Sequence, residues 1–262
     1  MTGPKKTKKN KGLISSNADW KIIHYDGIDV YYLAELDGGA LDFGEEAFTN
    51  TVKKKYRKIG TVCEFCAGPG FIGFALLARG LCKKLCLVDI NPVAIECCKK
   101  TIEENGLGKR VTTYISDGLK QVPKKEVWDL VVSNPPHFDG TVEMYKKDII
   151  AIDPGWVIHE KFYKDVPQHL SKNGSVLFLE NIVGAPESLW EPMITKNALR
   201  FKGIFWEKHP PQKLVKRIVH IISVLNFDAI KRFITLCIKQ KNTNFLAQRV
   251  YPYYFVWSKK VN

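Results

Sequence analysis

From residue 61 onward the chain alternates two kinds of segment, and that alternation leaves few folds open to it. Short apolar runs, "TVCEFC", "KLCLVDI", "VTTYISD", "VWDLVVSN" and "GSVLFLEN", are bounded by turn residues. Helix-like segments separate most of them, as in "GFIGFALLARG", which ends at Gly80, and "NPVAIECCKKTIEENG". The second has Asn91 to cap it, Pro92 at its first helical position and Gly106 just past its end. "GWVIHEKFYKDVPQHL" reads as partly helical. Runs of this kind, alternating with helices, predict a parallel sheet covered on both faces.

The flanks extend the pattern. "WKIIHYDGIDVYYLAE" (Trp20–Glu35) holds two β-rich runs joined by Asp26-Gly27, a hairpin signal. "GEEAFTNTVKKKYRK" follows as a helix, with acids in its first turn and bases in its last. Toward the C-terminus, "PESLWEPMITKNAL" suits a helix, and "RFKGIFWEK" and "YPYYFVWSKK" suit two more strands. The expected fold is therefore α/β: a Rossmann-like, doubly wound, mostly parallel seven-stranded sheet with a small N-terminal β-hairpin.

The strand tips carry the chemistry. "VCEFCAGPGFIGF" runs from a strand through Glu64, then Gly68 and Gly70, into a helix. Ligands of doubly wound sheets bind at the carboxyl ends of the strands, and glycines there let a ligand approach the backbone. The next strand ends in Asp89, placed to accept from two ribose hydroxyls, and the third ends in Asp117, placed to accept from an adenine amine. No complete phosphate fingerprint and no Walker lysine is present, so the loop suits a nucleoside without phosphates. Any one of these residues is as well explained by a structural turn or a surface acid. Three acids at three successive tips are not.

The fourth tip reads Ser133-Asn134-Pro135-Pro136-His137-Phe138. Two prolines after a buried strand stiffen the backbone and end the ladder. A planar amino nitrogen is a poor nucleophile because its lone pair is delocalised. The Asn134 side-chain oxygen and the Pro135 carbonyl can accept both of its N–H bonds and favour a more pyramidal nitrogen. Pre-set acceptors of this kind act by positioning and electrostatics.

Over about residues 60–180 the sequence resembles the class I S-adenosylmethionine-dependent methyltransferases. Glu64, Gly68 and Gly70 match the first motif, Asp89 the ribose-binding acid, Asp117 the adenine-contacting acid, and "DLVVSNPPH" the fourth motif. Cys66 departs from the pattern, since many members have a glycine there. Asn134, Pro135 and Pro136 match the Asn-Pro-Pro-Tyr group of N-methyltransferases, and His137 stands where that group has a stacking aromatic. The resemblance implies S-adenosylmethionine as cofactor, bound by Glu64, Gly68, Gly70, Asp89, Asp117 and Asn134. It implies catalysis by Asn134, Pro135, Pro136 and His137, with His137 expected to face the substrate. The acceptor it implies is an RNA base, or alternatively a glutamine amide of a release factor or ribosome-associated protein. A catalytically inactive interaction protein of the same fold is the remaining alternative.

Charge bears on that choice. The formal net charge is +13. Residues 1–12 hold Lys5, Lys6, Lys8, Lys9 and Lys11 without an acid, and residues 181–262 hold 14 Lys/Arg against 4 Asp/Glu. Positive charge gathered in a tail and a C-terminal third suggests a polyanionic partner, and RNA is expected. The expected organisation is a basic disordered arm over 1–18, a hairpin and helix on the substrate side over 19–58, and a catalytic domain over 59–262. A basic helical insertion at about 211–241 interrupts that domain. Every long apolar run is interrupted, as by Asp228, Lys231 and Arg232 within Ile218–Gln240, so no membrane span is expected. No secretory h-region opens the chain. Its seven cysteines are an odd number in mostly apolar segments, expected as core thiols and not as disulfides or metal ligands. A cytoplasmic protein is expected.

Overall fold

The computed structural model describes residues 13–15, 17–37, 44–56, 59–182, 184–205 and 253–261. The lysine arm at 1–12 and the basic segment at about 211–241 lie outside the described residues.

Strands β1 (Lys21–Tyr25) and β2 (Ile28–Tyr32) pair antiparallel around Asp26-Gly27. Both turn residues take positive φ, 39° and 92°, as a two-residue hairpin turn requires. Helix α1 (Glu45–Lys55) follows, with Glu45 and Glu46 in its first turn and Lys53, Lys54 and Lys55 in its last, complementing the helix dipole. Then come β3 (Ile59–Phe65), α2 (Phe71–Ala78), β4 (Cys82–Asp89), α3 (Pro92–Glu104), β5 (Val111–Ile115) and β6 (Trp128–Ser133). The chain continues through α4 (Val142–Lys147), α5 (Val157–Asp165), β7 (Leu170–Asn181), α6 (Trp190–Thr195), β8 (Leu199–Phe205) and β9 (Tyr253–Lys260).

The seven strands from β3 onward form one sheet in the order β5-β4-β3-β6-β7-β9-β8. β9 runs antiparallel between β7 and β8. The pairs β3–β4, β4–β5, β3–β6 and β6–β7 are parallel. The winding direction reverses between β3 and β6, and a crevice at the carboxyl ends of these strands is where such sheets bind ligands.

Alternating residues serve opposite faces. Val62, Leu85, Leu87, Leu130, Val132 and Leu177 join a core with the hairpin, α1, α2 and α3. Their neighbours Cys63, Cys86, Val88, Val131, Val176 and Phe178 join a second core with α5 and α6. Burial on both faces explains why these strands read as continuous apolar runs. The hairpin is docked on α3: the Tyr31 amide donates to Thr101 Oγ1 (2.9 Å) and the Asp29 amide to Asn105 Oδ1 (2.9 Å). Cys63, Cys82, Cys86, Cys97 and Cys98 are buried free thiols. Among the described residues no helix is long and apolar enough to cross a membrane.

Candidate active site

A cleft opens at the carboxyl ends of β3, β4, β5 and β6. Glu64, Gly68, Asp89, Asp117, Asn134 and Pro136 all line it. The structure thus brings together most of the residues singled out from sequence. Gly70, Pro135 and His137 are not among its lining residues.

The loop after β3 is built from left-handed backbone. Gly68 has φ 53° and Gly70 φ 84°, and Cys66 enters the same region at φ 51° although it is not glycine. The Gly70 amide closes the turn on Ala67 O (2.8 Å). Gly70 caps α2 on the side away from the cleft. A Cβ there would lie 2.8 Å from the Phe74 ring and 3.1 Å from Leu87, so its role is packing.

The Gly68 amide donates to Asp89 Oδ2 (2.7 Å), and the Asn91 amide to Asp89 Oδ1 (2.8 Å). A carboxylate offers about four acceptor positions, so two remain for a pair of hydroxyls. Burial raises the Asp89 pKa, and the amides of Asn91, Gly68 and Ile90 pull it back. Glu64 Oε2 accepts from the Gly73 amide in the first turn of α2 (2.7 Å). Burial pushes this carboxyl up to about 8, against the amides of Gly73 and Ile72 and with the help of Asp89. Gly73 is needed for this seat, because a Cβ would stand 2.7 Å from Glu64 Oε2.

Asp117 lies two residues beyond β5. Lys161 of α5, which also lines the cleft, donates to both its oxygens at 3.0 Å. Both side chains are about half exposed, 50% and 47%. Such a pair contributes about 0–1 kcal/mol, so a ligand amine can displace the lysine. Asn134 follows β6 directly. The Ser133 hydroxyl donates to Phe65 O (2.6 Å), pinning the tip of β6 to that of β3. Tyr145, Ile149, Ile150 and Ile158 give the cleft an apolar wall that sequence reading missed. Ile149 and Ile150 are large apolar side chains left 39% and 42% exposed.

Sequence reading also missed what stands behind Asn134. His137 Nε2 lies 3.1 Å from Asn134 Oδ1, and its Nδ1 lies 3.5 Å from Glu180 Oε2. Glu180 is fully buried near the end of β7. An acid inside the apolar run "VLFLEN" was the available signal. Gly184 permits this assembly, since a Cβ there would collide with the His137 carbonyl.

A family model described as methyltransferase small domain matches residues 37–189. Ribosomal RNA small subunit methyltransferase C of Actinobacillus pleuropneumoniae serotype 7 is 33% identical over 135 residues, covering 50% of this chain and 40% of that protein. The protein of the same name from Shewanella pealeana is 42% identical over 81 residues, 31% of this chain and 23% of that one. The chain therefore spans less than half the length of these curated relatives. Among solved structures, the T. thermophilus 16S rRNA N2 G1207 methyltransferase in complex with AdoMet and guanosine has TM-score 0.55 at 15% identity, covering 92% of this chain and 50% of that chain. M. jannaschii TYW2 in complex with AdoMet has TM-score 0.53 at 12% identity, covering 95% and 90%. At these identities the two structures attest the fold.

Proposed function

The chain belongs to the methyltransferase small domain family, and from that premise we propose that it is an S-adenosylmethionine-dependent N-methyltransferase of the Asn-Pro-Pro-Tyr type. The proposed acceptor is a planar amino nitrogen of an RNA base. One observation carries this: Asn134 lines the same cleft as the Gly68 turn and Asp89. The names of the ribosomal RNA relatives support RNA as the substrate class, as does the charge of +13.

The cleft fits the cofactor's chemistry. Asp89 keeps two acceptor positions for a ribose diol while backbone amides hold it in place. Asp117 supplies an acceptor for an adenine amine once Lys161 is displaced. Glu64 lines the cleft beside the glycine turn and holds the first turn of α2 through the Gly73 amide. When bound, S-adenosylmethionine supplies an activated methyl group.

The chain's own part is to hold the acceptor. Asn134, and the backbone stiffened by Pro135 and Pro136, accept the amino N–H bonds and aim the nitrogen lone pair. The apolar side chains of Ile149, Ile150 and Ile158 exclude water around it. No base is needed before attack, because the proton leaves once the nitrogen is cationic.

The test is transfer of labelled methyl from S-adenosylmethionine to ribosomal RNA and, in parallel, to a purified release factor. Label should enter RNA. Asn134→Ala should lower kcat by about 10²–10³-fold, the scale of removing one pre-set electrostatic contact, and leave cofactor binding intact. Label in protein glutamine with none in RNA would refute the RNA reading, and full activity in Asn134→Ala would refute the role of Asn134.

A further inference from the structure

Behind Asn134 lies a row of buried charge that methyl transfer itself does not use. Asp153, His159 and Glu180 are all fully buried. His159 Nδ1 is 2.6 Å from Asp153 Oδ2, and its Nε2 is 3.0 Å from Glu180 Oε1. Ionised carboxylates only accept, so both ring nitrogens donate and His159 is an imidazolium. Burial opposes that charge, yet Glu180 and Asp153 outweigh it and hold the ring's pKa up at about 9. The Ile158 and His159 amides fix Asp153 in turn (2.8 and 3.2 Å). Glu180 is thereby held, and its second oxygen faces His137 Nδ1.

A carboxylate at Nδ1 calls for a proton there. The proton count on His137 then decides what happens at Nε2, beside the Asn134 amide. With one proton, on Nδ1, Nε2 is an acceptor; it takes an amide N–H and turns Oδ1 toward the cleft. With two protons, Nε2–H donates to Oδ1, the pairing the structure shows, and turns the amide N–H bonds toward the cleft. The two halves of the amide are nearly equal in size, so hydrogen bonding alone chooses between them.

We infer that His137, held by Glu180, is a positioning residue that selects which half of the Asn134 amide faces the acceptor, the singly protonated ring presenting the oxygen. The inference rests on the proposed methyl transfer, since only an incoming amino group makes the oxygen the productive half. Among the described residues, Glu180 of β7 and Tyr253 of β9, whose ring lies 5.6 Å away, are the titratable groups facing His137. Asn134 and Phe138 face it from its own segment. His159 and Asp153 reach it through Glu180. Placed behind Asn134, His137 need not stack on the acceptor as the usual aromatic does.

The test has two arms on the full chain. Nitrogen NMR of the histidine rings, with His137 assigned by its loss in His137→Gln, reads the tautomer without any substrate. In the singly protonated ring the proton should sit on Nδ1, with Nε2 bare; a ring protonated on Nε2 alone overturns the inference. The second arm compares kcat and KM for His137→Phe and His137→Gln with ribosomal RNA. Phe keeps the ring's shape without its nitrogens, and Gln offers an uncharged hydrogen-bonding group near Nε2.

His137→Phe should lower kcat by about 10–100-fold, the effect of one lost buried hydrogen bond, with KM and cofactor affinity unchanged. His137→Gln should keep more activity than His137→Phe, with KM likewise unchanged. An active Phe variant beside an inactive Gln variant overturns the inference, because packing alone predicts that order. If the wild-type chain binds cofactor and methylates no RNA, the functional proposal fails alone, and the ring-nitrogen arm still decides the orientation of Asn134.

Discussion

His159 is a buried cation between two carboxylates, and such a group ties stability to pH. Its pKa rises from an ordinary 6.5 to about 9 in the folded chain. The fold therefore holds this proton more tightly than the unfolded chain does. The stabilisation is fully present below pH 6.5 and is lost as pH rises through about 9. His159→Gln leaves both carboxylates uncompensated and should cost about 3–5 kcal/mol at low pH, the deficit narrowing toward alkaline pH. Urea denaturation across a pH series measures this, and a deficit independent of pH contradicts the ion pair. None of it was legible at single residues: the sequence places His159 on a helix and Glu180 on a strand, 21 positions apart. Their contact depends on how α5 packs over β7.

At the scale of elements, the junction from β3 to α2 does two jobs that its glycines divide. Gly68 turns an amide toward Asp89, while Gly70 lets the first turn of α2 close against Phe74 and Leu87. Gly70→Ala puts a side chain at φ 84° and 2.8 Å from the Phe74 ring. It should destabilise by about 1–3 kcal/mol, from left-handed strain and overpacking together. The urea midpoint would fall, and an unchanged midpoint would remove Gly70 from the packing role. The glycine turn was legible because only such a turn joins a buried strand to a helix so tightly. Which glycine meets ligand and which meets core was not, since that depends on the side of the loop each one faces. Gly73 and Gly184 escaped notice for a related reason. Their need for a missing Cβ comes from Glu64, nine residues back across the turn, and from the His137 carbonyl, on a different loop.

Across the whole molecule, charge and topology are separate matters. The surplus of Lys and Arg lies in residues 1–12 and 181–262, and the cleft is built almost wholly from residues between them. RNA affinity should therefore rest largely on residues that do not line the cleft. Binding of ribosomal RNA by the full chain should weaken steeply with salt, log K falling with a slope of about −0.7 per phosphate neutralised on single strands. A flat salt titration would count against a polyanionic partner. Among the described residues, Lys55 lies 4.0 Å over the Phe205 ring and 4.8 Å over Trp257, with Lys259 at 5.4 Å from Trp257.

The seven strands, their caps and the four tip residues Glu64, Asp89, Asp117 and Asn134 were determined by the sequence alone. Burial on two faces demands the apolar runs, and the chemistry-bearing residues stand at or beside their carboxyl ends in the linear order. Only the tertiary structure decided that Lys161 occupies Asp117, that Gly70 faces the core, and that His137 stands behind Asn134 against Glu180. Each of these is a contact between elements distant along the chain. Periodicity says which face of an element is buried, but the neighbour a side chain meets there is chosen by packing.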